Sequence, residues 1–362
     1  MKSMSNWSEL KNNPRLKNIY DTRIKILRLI REFFWSLDFV EIDTPIAVRF
    51  ASQEPHLNPL PITIHDPNGQ GERFYLRTSP EYALKKLLAV GYEKIFEIGK
   101  CFRDFESFGG THNTEFTMLE WYRAPGKYQD IMDDTKNLFK YVASRLPAPI
   151  RGGTEGGVLR YKDKKINIFK KWERLSMKEV WQKFINVNLD DYLEIKPLKK
   201  LANDRGCTID DNYEYEDIFY KIFLNEIEPK LGLERPVFVY DYPASMASLS
   251  RLCERDHRYA ERFELYIGGL ELANAFGELT DAAEQKERLG KDRELRQKLG
   301  KEVWPVDGDF IAALASLRPA SAEAIARQAG IALGVDRMVV LFTGAKDLNE
   351  VIFGSISDQL SN

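Results

Sequence analysis

The chain has 362 residues, of which 43% are hydrophobic and 30% charged, a composition typical of a water-soluble globular protein that buries a large core. Its formal net charge of −2 excludes a strong overall attraction to nucleic acid, though not a local basic patch. Cys101, Cys207 and Cys253 lack metal-ligand spacing, and no apolar run reaches the roughly 18 residues of a membrane span. With no signal peptide at its start, the sequence predicts a cytoplasmic protein with free thiols.

The first part of the chain predicts one long helix and then a short strand. Apolar residues recur at helical spacing over residues 18–37, which favours an amphipathic helix. The segment 38–48 favours a strand that ends at Thr44-Pro45, because proline cannot donate to a strand ladder.

Residues 73–91, "RFYLRTSPEYALKKLLAVG", predict a strand followed by a helix. Ser79 is expected as the N-cap, because its hydroxyl can accept a backbone N–H at the start of the helix. Pro80 fits the first helical position, and Gly91 fits the C-terminal cap.

Two hairpins dominate the strand pattern. Residues 94–103 and 114–123 each predict a strand, and together they form an antiparallel hairpin around the loop 104–113. Residues 262–281 predict a second hairpin, which turns at Gly268-Gly269.

The remaining segments complete the predicted fold. The sequence indicates a helical, variable region at about 140–235 with a flexible link at 151–157, a buried strand at 236–250 that leaves into a loop, a charged helix at 282–301, and a strand leading into a helix at 329–344. Most strands are joined by hairpins rather than by βαβ crossovers. We therefore expect an α+β fold, an antiparallel sheet flanked by helices.

The second hairpin places two glutamates close together. With a two-residue turn at Gly268-Gly269, Glu264 lies opposite Ala273, and Glu264 and Glu271 point to the same side of the sheet. Two like charges there are unfavourable unless a divalent cation such as Mg²⁺ lies between them. The alternative is a solvated sheet face on which the glutamates stay apart.

Asn274, Phe276 and Glu278 alternate along the same strand and share a face. Strict alternation places that face opposite the one that carries Glu271. If all these side chains serve one cleft, the strand needs a bulge or a turn between residues 271 and 274.

On the first hairpin, Phe116, Met118, Glu120 and Tyr122 share a face. A glutamate beside apolar residues is costly to bury without a partner. Glu120 and the Tyr122 hydroxyl therefore suit the ammonium group of a ligand. The alternative is a surface glutamate that reaches solvent.

Arg103 and Arg337 are candidate phosphate ligands, because an arginine presents a fixed fork of donors that matches phosphate oxygens. Together with a magnesium-binding carboxylate pair they would hold a triphosphate. Taken singly, each arginine is equally compatible with a structural or solvated role. The chain has no GxxxxGK[ST] or GxGxxG phosphate loop, no Ser-His-Asp or Cys-His arrangement, and no zinc-ligand spacing among its four histidines.

Three segments resemble, in order, motifs 1, 2 and 3 of class II aminoacyl-tRNA synthetases: "FVEIDTP", "CFRDFESFGGTHNTEFTMLEWYR" and "GIALGVDRMVVLF". "TSPEYALKKLL" and "GLELANAFGELTDAAEQ" are most similar to the lysyl branch, and the resemblance extends over about residues 18–357. The resemblance implies that residues 1–362 form a single catalytic domain. The chain begins almost at motif 1, so we expect no N-terminal anticodon-binding OB domain. A chain without this domain resembles the lysyl-tRNA synthetase paralogues that modify elongation factor P. The segment "VYDYPASMASLS" resembles the same paralogues.

The resemblance implies ATP-dependent activation of (R)-β-lysine, or lysine, and transfer to a lysine side chain of elongation factor P, without tRNA. Arg103 and Arg337 are the implied catalytic residues, holding the α- and γ-phosphates, and Glu264 and Glu271 are the implied Mg²⁺ ligands. The implied ATP-binding residues are Arg103, Asp104, Glu106, His112, Asn113, Phe116, Glu271, Leu272, Gly334 and Arg337. The implied substrate-binding residues are Ser79, Pro80, Glu81, Glu120, Tyr122, Asn274, Phe276, Glu278 and Ala332, with Glu278 facing the terminal ammonium. Motif 1 implies a homodimer.

The chain departs from the family pattern on the motif 2 loop. The family's Arg-x-Glu is Arg103-Asp104-Phe105-Glu106 here, so either Asp104 or Glu106 takes the carboxylate role. Where the family has Asn-Pro-Glu, this chain has Asn113-Thr114-Glu115, with threonine in place of the proline. Both changes affect the loop that the family uses to meet ATP and the acceptor, and they leave the acceptor's identity open.

Lysyl-tRNA synthetases have glycine at the position of Ala332, whereas the β-lysine ligases have alanine there, as this chain does. Its methyl group reshapes the floor of the amino-acid pocket, which suits a shifted amino group rather than an α-amino group.

Other functions are compatible with the fold. A mini lysyl-tRNA synthetase-like enzyme would charge tRNA or another carrier with lysine, but the near-neutral charge and the missing OB domain weigh against it. An amide-forming ligase acting on a small molecule is disfavoured by the acidic pocket if its substrate is anionic. A regulatory subunit without catalysis would be expected to lose Arg103, Arg337, Glu264 or Glu271, and the chain has all four.

Overall fold

The computed structural model describes residues 6–107, 110–146, 157–317 and 327–360. Its helices are α1 (Asn6–Asn12), α2 (Pro14–Trp35), α3 (Glu81–Ala89), α4 (Tyr128–Arg145), α5 (Met177–Ile185), α6 (Ile195–Asp204), α7 (Tyr215–Ile222), α8 (Ala282–Lys298), α9 (Gly308–Ser316), α10 (Val335–Thr343) and α11 (Ile356–Leu360). Its strands are β1 (Val40–Glu41), β2 (Ala47–Val48), β3 (Leu60–His65), β4 (Gly71–Leu76), β5 (Lys94–Phe102), β6 (Glu115–Arg123), β7 (Val158–Tyr161), β8 (Lys164–Asn167), β9 (Glu173–Ser176), β10 (Val237–Pro243), β11 (Leu252–Cys253), β12 (Asp256–Ile267), β13 (Leu270–Gly277) and β14 (Ala329–Gly334).

The main sheet has the strand order β1-β5-β6-β14-β13-β12-β10-β9, with β11 paired to β12. The two edge pairs, β1 with β5 and β9 with β10, are parallel, and the pairs between them are antiparallel. Strands β2, β4 and β3 form a small separate sheet, and β7 pairs with β8. The predicted α+β class with an antiparallel sheet is confirmed.

Helices cover one face of this sheet and border the other. Helices α2, α4 and α10 pack on the first face, where Phe34, Phe96 and Trp121 belong to one continuous core. The second face is bordered by α3, α8 and α9 at one side and by α5, α6 and α7 at the other, each group with its own apolar cluster. A cavity lies between these two groups. None of the described helices is long and apolar enough to cross a membrane.

Most predicted elements are confirmed. The long helix, both hairpins, the charged helix and the strand-to-helix unit at 329–344 are present. The predicted cap of α3 is wrong by one position, because Pro80 is the N-cap and the Ser79 hydroxyl accepts the Glu81 N–H at 3.0 Å. The β7–β8 hairpin within the variable region was not predicted. The predicted link at 151–157 lies almost wholly outside the described residues.

The register of the second hairpin differs from the simple prediction. Gly268-Gly269 forms the turn and Ile267 pairs with Leu270, as expected. Glu264, however, lies opposite Asn274 and not Ala273, because the register shifts by one residue at Leu272. This is the bulge that a single cleft requires, and it turns Asn274 and Phe276 to the face that carries Glu271.

Candidate functional site

The cavity on the open face of the sheet has a volume of about 520 Å³. Its floor is built from rows of side chains that lie opposite one another on adjacent strands. One row runs through Glu120 on β6, Ala332 on β14, Asn274 on β13 and Glu264 on β12. Since directly paired residues share a face, backbone pairing alone brings these four side chains to one surface.

The neighbouring row runs through Tyr122, Gly330, Phe276 and Arg262 on the same four strands. A Cβ atom at Gly330 would lie 2.2 Å from Cε1 of Tyr122 and 2.7 Å from Oε1 of Glu278. Gly330 was not predicted as a site residue, and its missing side chain provides the space that the other two side chains occupy.

The cavity brings together most of the predicted site residues. Those that line it are Ser79, Glu81, Arg103, Glu106, His112, Asn113, Phe116, Glu120, Tyr122, Glu264, Glu271, Leu272, Asn274, Phe276, Glu278, Ala332, Gly334 and Arg337. Pro80 and Asp104 lie outside its lining. Pro80 caps α3 behind Ser79, and the Asp104 carboxylate accepts the Phe105 N–H. Of the two motif 2 carboxylates, therefore, the structure brings Glu106 to the cavity.

Glu120 is a buried carboxylate whose hydrogen-bond donors are neutral. Ser79 Oγ donates to Oε1 at 2.6 Å, and the Tyr122 hydroxyl donates to Oε2 at 2.9 Å. Burial, reinforced by the nearby Glu81 charge, raises the pKa of Glu120 to about 8. Among the described residues no cation forms an ion pair with it, so an ammonium group of a ligand would complete its environment.

Glu278 has a partner that was not predicted. Its Oε2 lies 2.5 Å from Nζ of Lys85, and Lys85 Nζ is also 2.5 Å from Oε1 of Glu81. The protein's own ammonium thus occupies one side of the carboxylate that was expected to face the terminal ammonium of the substrate. Burial raises the pKa of Glu278 to about 7 against the opposing effect of Lys85.

The other end of the cavity carries orphaned polar atoms beside an aromatic ring. The Arg103 guanidinium lies 5.1 Å from the Phe116 ring centroid, and its buried Nε has no hydrogen-bond partner among the described residues. Asn113 is 3% exposed, and its Oδ1 is likewise unpartnered within the described chain. A donor, an acceptor and a ring face in one place suit a nucleotide, whose base stacks and whose phosphate accepts.

Contacts around Arg337 join the motif 2 loop to motif 3. His112 Nδ1 lies 2.9 Å from Glu106 Oε2, and its Nε2 lies 3.3 Å from Arg337 Nη2. Arg337 donates through Nη1 to the Glu271 carbonyl at 2.7 Å and through Nε to the Thr111 carbonyl at 3.1 Å. The hydrogen bond from His112 lowers the pKa of Glu106, which favours its charged form.

Glu264 and Glu271 lie on the same face, as the predicted magnesium pair requires. Glu264 is 3% exposed, and its two oxygens accept from Arg262 Nη2 at 2.7 Å and from the Tyr266 hydroxyl at 2.5 Å. The Glu271 side chain is 37% exposed at the cavity surface. Its partial burial, together with the Glu264 charge, raises its pKa. Each carboxylate oxygen retains a second lone pair, so the donor set fits a Mg²⁺ ion that takes one or two carboxylates and phosphate oxygens.

Some lining residues gave no local signal in the sequence. These are acidic residues from a loop, two helices and a turn: Glu54, Glu216, Glu228 and Asp292. Burial raises the pKa of Glu228 and of Asp292 to about 7 each. Helix α7 supplies Glu216, so the variable region at 140–235 forms part of the cavity wall as well as covering the sheet.

Comparison with known proteins identifies the family of the chain. A family model described as tRNA synthetases class II (D, K and N) matches residues 2–354. The chain belongs to the class II aminoacyl-tRNA synthetase family. It is 38% identical over 336 residues to the elongation factor P--(R)-beta-lysine ligase of Edwardsiella ictaluri, covering 92% of this chain and 94% of that protein.

Other relatives of this class II synthetase have the same name. The elongation factor P--(R)-beta-lysine ligase of Histophilus somni (strain 2336) is 34% identical over 333 residues, with 91% of this chain and 92% of that protein covered. The one from Haemophilus influenzae (strain KW20 / Rd) is 33% identical over 357 residues, with 97% and 98% covered. Similarity therefore extends over nearly the whole chain.

Helix α2, the motif 2 strand and motif 3 meet at Asp336. Its Oδ1 accepts from Arg23 Nη1 of α2 at 2.5 Å, and its Oδ2 accepts from the Thr117 N–H of β6 at 2.7 Å. Arg23 Nη2 also donates to the Thr117 hydroxyl at 2.8 Å. This buried ion pair fixes the start of α10, and with it Arg337, relative to the motif 2 strand.

Proposed function

We propose that this enzyme uses ATP to activate (R)-β-lysine, or lysine, as an aminoacyl-adenylate, and transfers the aminoacyl group to a lysine side chain of elongation factor P. The observation that carries the proposal is the buried acidic end of the cavity, where the donors to Glu120 from the described residues are the neutral hydroxyls of Ser79 and Tyr122. Arg103 and Phe116 lie at the opposite end of the same cavity. One site thus offers groups for ammonium and groups for a nucleotide.

The charges at the acidic end match a diamino acid. Glu81, Glu120 and Glu278 contribute three carboxylates, and Lys85 contributes one ammonium. Two negative charges are left, and a substrate with two ammonium groups balances them. Buried charges require this kind of compensation, so a neutral or anionic side chain would bind poorly.

Ala332 supports the β-isomer. Its methyl group lies on the row between Glu120 and Asn274, at the centre of the pocket floor. A side chain at this point occupies space that a glycine would leave to the ligand. The relatives named above are β-lysine ligases, and the chain's similarity to them supports the same amino acid.

The proposed reaction needs no protein nucleophile. A substrate carboxylate oxygen attacks the α-phosphorus of ATP, the bond from that phosphorus to the bridging oxygen breaks, and pyrophosphate leaves. Arg103 would stabilise the charge on the α-phosphate, and Arg337 would hold the γ-phosphate. The unprotonated amine of the acceptor lysine then attacks the carbonyl carbon, an amide forms, and AMP leaves with the amine proton lost to solvent. Catalysis is positioning and charge stabilisation.

We propose that Glu264 and Glu271 hold Mg²⁺ during this reaction. A bound Mg²⁺ would neutralise part of the triphosphate charge. Arg262 and Tyr266 orient Glu264 through their hydrogen bonds, which leaves Glu271 as the more accessible ligand.

The relatives' name supports elongation factor P as acceptor, and a translation factor as acceptor would place the reaction in the cytoplasm. We also propose a homodimer. Ile24 and Trp35 of α2 and Val40 of the edge strand β1 are large apolar residues exposed in the single chain, which is typical of a covered interface. Analytical ultracentrifugation is expected to show a dimer, and a fully active monomer would exclude it.

ATP–pyrophosphate exchange with (R)-β-lysine and α-lysine side by side tests the proposed activity. We expect exchange with both and a preference for (R)-β-lysine, followed by aminoacylation of purified elongation factor P. A preference for α-lysine together with charging of tRNA would instead support a mini lysyl-tRNA synthetase-like enzyme. Absence of exchange with either amino acid would contradict the proposal.

A further inference from the structure

Lys85 is a fully buried lysine that does not line the cavity. It lies on α3 one turn after Glu81, and it is 1% exposed. Its Nζ lies 2.5 Å from an oxygen of Glu81 and 2.5 Å from an oxygen of Glu278. A lone ammonium at this depth would be strongly destabilised, so its two carboxylate partners are what make its burial possible.

The two carboxylates that Lys85 joins come from distant parts of the chain. Glu81 begins α3, and Glu278 follows β13. Within the described residues, Lys85 is the cation that forms an ion pair with Glu278. Oε1 of Glu278 has no hydrogen-bond partner within the described residues. Lys85 therefore holds one oxygen of each carboxylate and leaves the second oxygen of Glu278 for the cavity.

We propose that Lys85 is a positioning residue that sets the amino-acid specificity of the site: it locks Glu81 and Glu278 in place and neutralises one of the three pocket carboxylates, so that the remaining charge matches a substrate with two ammonium groups. This inference rests on the proposed function. Lys85 itself touches no substrate. It acts through the two carboxylates, and its ammonium lies outside the lining of the cavity.

Titratable and charged groups surround this site from neighbouring elements. Glu120 and Tyr122 face it from β6, Arg251 in the loop before β11 opposes the raised pKa of Glu278, and the Glu81 charge raises the pKa of Glu54 in the loop after β2. Removing Lys85 leaves Glu81 and Glu278 without their shared cation. Glu278, whose pKa burial already raises, would then hold its proton to higher pH and lose its attraction for a ligand ammonium group.

The test compares Lys85→Met with Lys86→Met. Lys86 is the next residue of α3, but it forms an ion pair with Asp307 at the surface side of the helix. We expect Lys85→Met to raise the KM for the diamino acid in ATP–pyrophosphate exchange by roughly 30-fold or more, since breaking a buried ion pair leaves its partner uncompensated. The KM for ATP should change by less than about threefold, since no nucleotide-facing group is altered. Lys86→Met should leave both constants near the wild-type values.

Lys85→Arg and the pH profile separate positioning from mere stability. Arginine keeps the positive charge but replaces the compact ammonium with a larger planar guanidinium. The KM for the diamino acid should therefore lie between those of the wild type and Lys85→Met. The acidic limb of the kcat/KM profile should move to higher pH in Lys85→Met, which a purely structural role would not cause. If Lys85→Met does not fold, a rise of about threefold or more in the amino-acid KM of folded Lys85→Arg supports the proposal, and an unchanged value overturns it.

The outcomes distinguish this inference from the proposed function. A wild-type enzyme that activates no diamino acid removes the proposed function, and the role of Lys85 falls with it. A wild-type enzyme that activates a diamino acid, while folded Lys85→Met retains its amino-acid KM and its pH profile, overturns the role of Lys85 alone.

Discussion

At the amino-acid end of the cavity the ligand-facing groups are deeply buried carboxylates, whereas at the nucleotide end they are arginines next to a loop. Glu120 and Glu278 are each 1% exposed and are fixed by hydrogen bonds or an ion pair. The Nε of Arg103 has no hydrogen-bond partner in the part of the chain that the structure describes, and Arg337 is held mainly by backbone carbonyls. The first end suits ammonium groups, and the second suits a ligand that carries phosphate.

Under the proposed function, this difference separates selection from catalysis. Buried carboxylates are costly until an ammonium group arrives, so we expect them to discriminate between substrates. We expect the arginines at the other end to stabilise charge that grows during the reaction. Changes at the acidic end should therefore alter the KM for the amino acid, and changes at the arginine end should alter kcat.

The largest expected effect is at the nucleotide end. Arg103→Lys should lower the kcat of ATP–pyrophosphate exchange by roughly 100-fold or more, because lysine loses the fork of donors that meets the α-phosphate. Arg28→Lys, at an exposed position of α2, serves as the control and should have no effect. If Arg103→Lys retained full kcat, the assignment of Arg103 to the transition state would be wrong.

Glu278→Gln should act mainly on amino-acid binding. We expect the KM for the diamino acid to rise by roughly 30-fold, because the variant loses a buried charge and leaves Lys85 with one partner fewer. The KM for ATP should stay within about threefold of the wild type. Glu287→Gln, exposed on α8, is the matched control. An equal loss of amino-acid and ATP affinity would refute the assigned role.

The carboxyl groups at the acidic end should also determine how the KM for the diamino acid depends on pH. The pKa of Glu120 is raised to about 8 and that of Glu278 to about 7, so both carboxyl groups are largely protonated below those values. An ammonium ligand requires the ionised forms, and its binding releases protons. The KM for the diamino acid should therefore rise as the pH falls from 8 to 6, while the KM for ATP changes little. Identical pH profiles for both substrates would not fit the account.

The smallest expected effect concerns the isomer. Ala332→Gly removes the methyl group at the centre of the pocket floor, and one such carbon is worth roughly 10- to 200-fold in discrimination. We expect the ratio of kcat/KM for α-lysine to that for (R)-β-lysine to increase by roughly tenfold, the lower end of that range, because the backbone floor of the pocket stays in place. An unchanged ratio in exchange assays would mean that another part of the pocket sets isomer preference.

Local patterns were enough to predict much of the site. Alternation along β6 placed Phe116, Glu120 and Tyr122 on one face, because a regular strand leaves no other choice. On β13 the same rule failed at one point. The extra residue at Leu272 changes which side chains face the cavity, and the sequence showed only that a bulge was needed between 271 and 274.

Other features depend on contacts between distant segments. Lys85 and Glu81 are four residues apart on one helix, but Glu278 reaches them only through the folded sheet. Glu54, Glu216 and Asp292 meet the cavity from separate elements, and no local pattern links them. The β7–β8 hairpin was missed because its Lys-rich sequence has no apolar alternation strong enough to predict a strand.

A crystal structure with a non-hydrolysable sulfamoyl analogue of the (R)-β-lysyl-adenylate would test the central claim most directly. We expect the adenine on Phe116, the sulfamoyl group next to Arg103, and both ammonium groups within hydrogen-bond distance of carboxylates at the acidic end, one of them at Glu120. Ammonium groups that point to solvent, with Glu120 and Glu278 left without ligand contacts, would contradict the account.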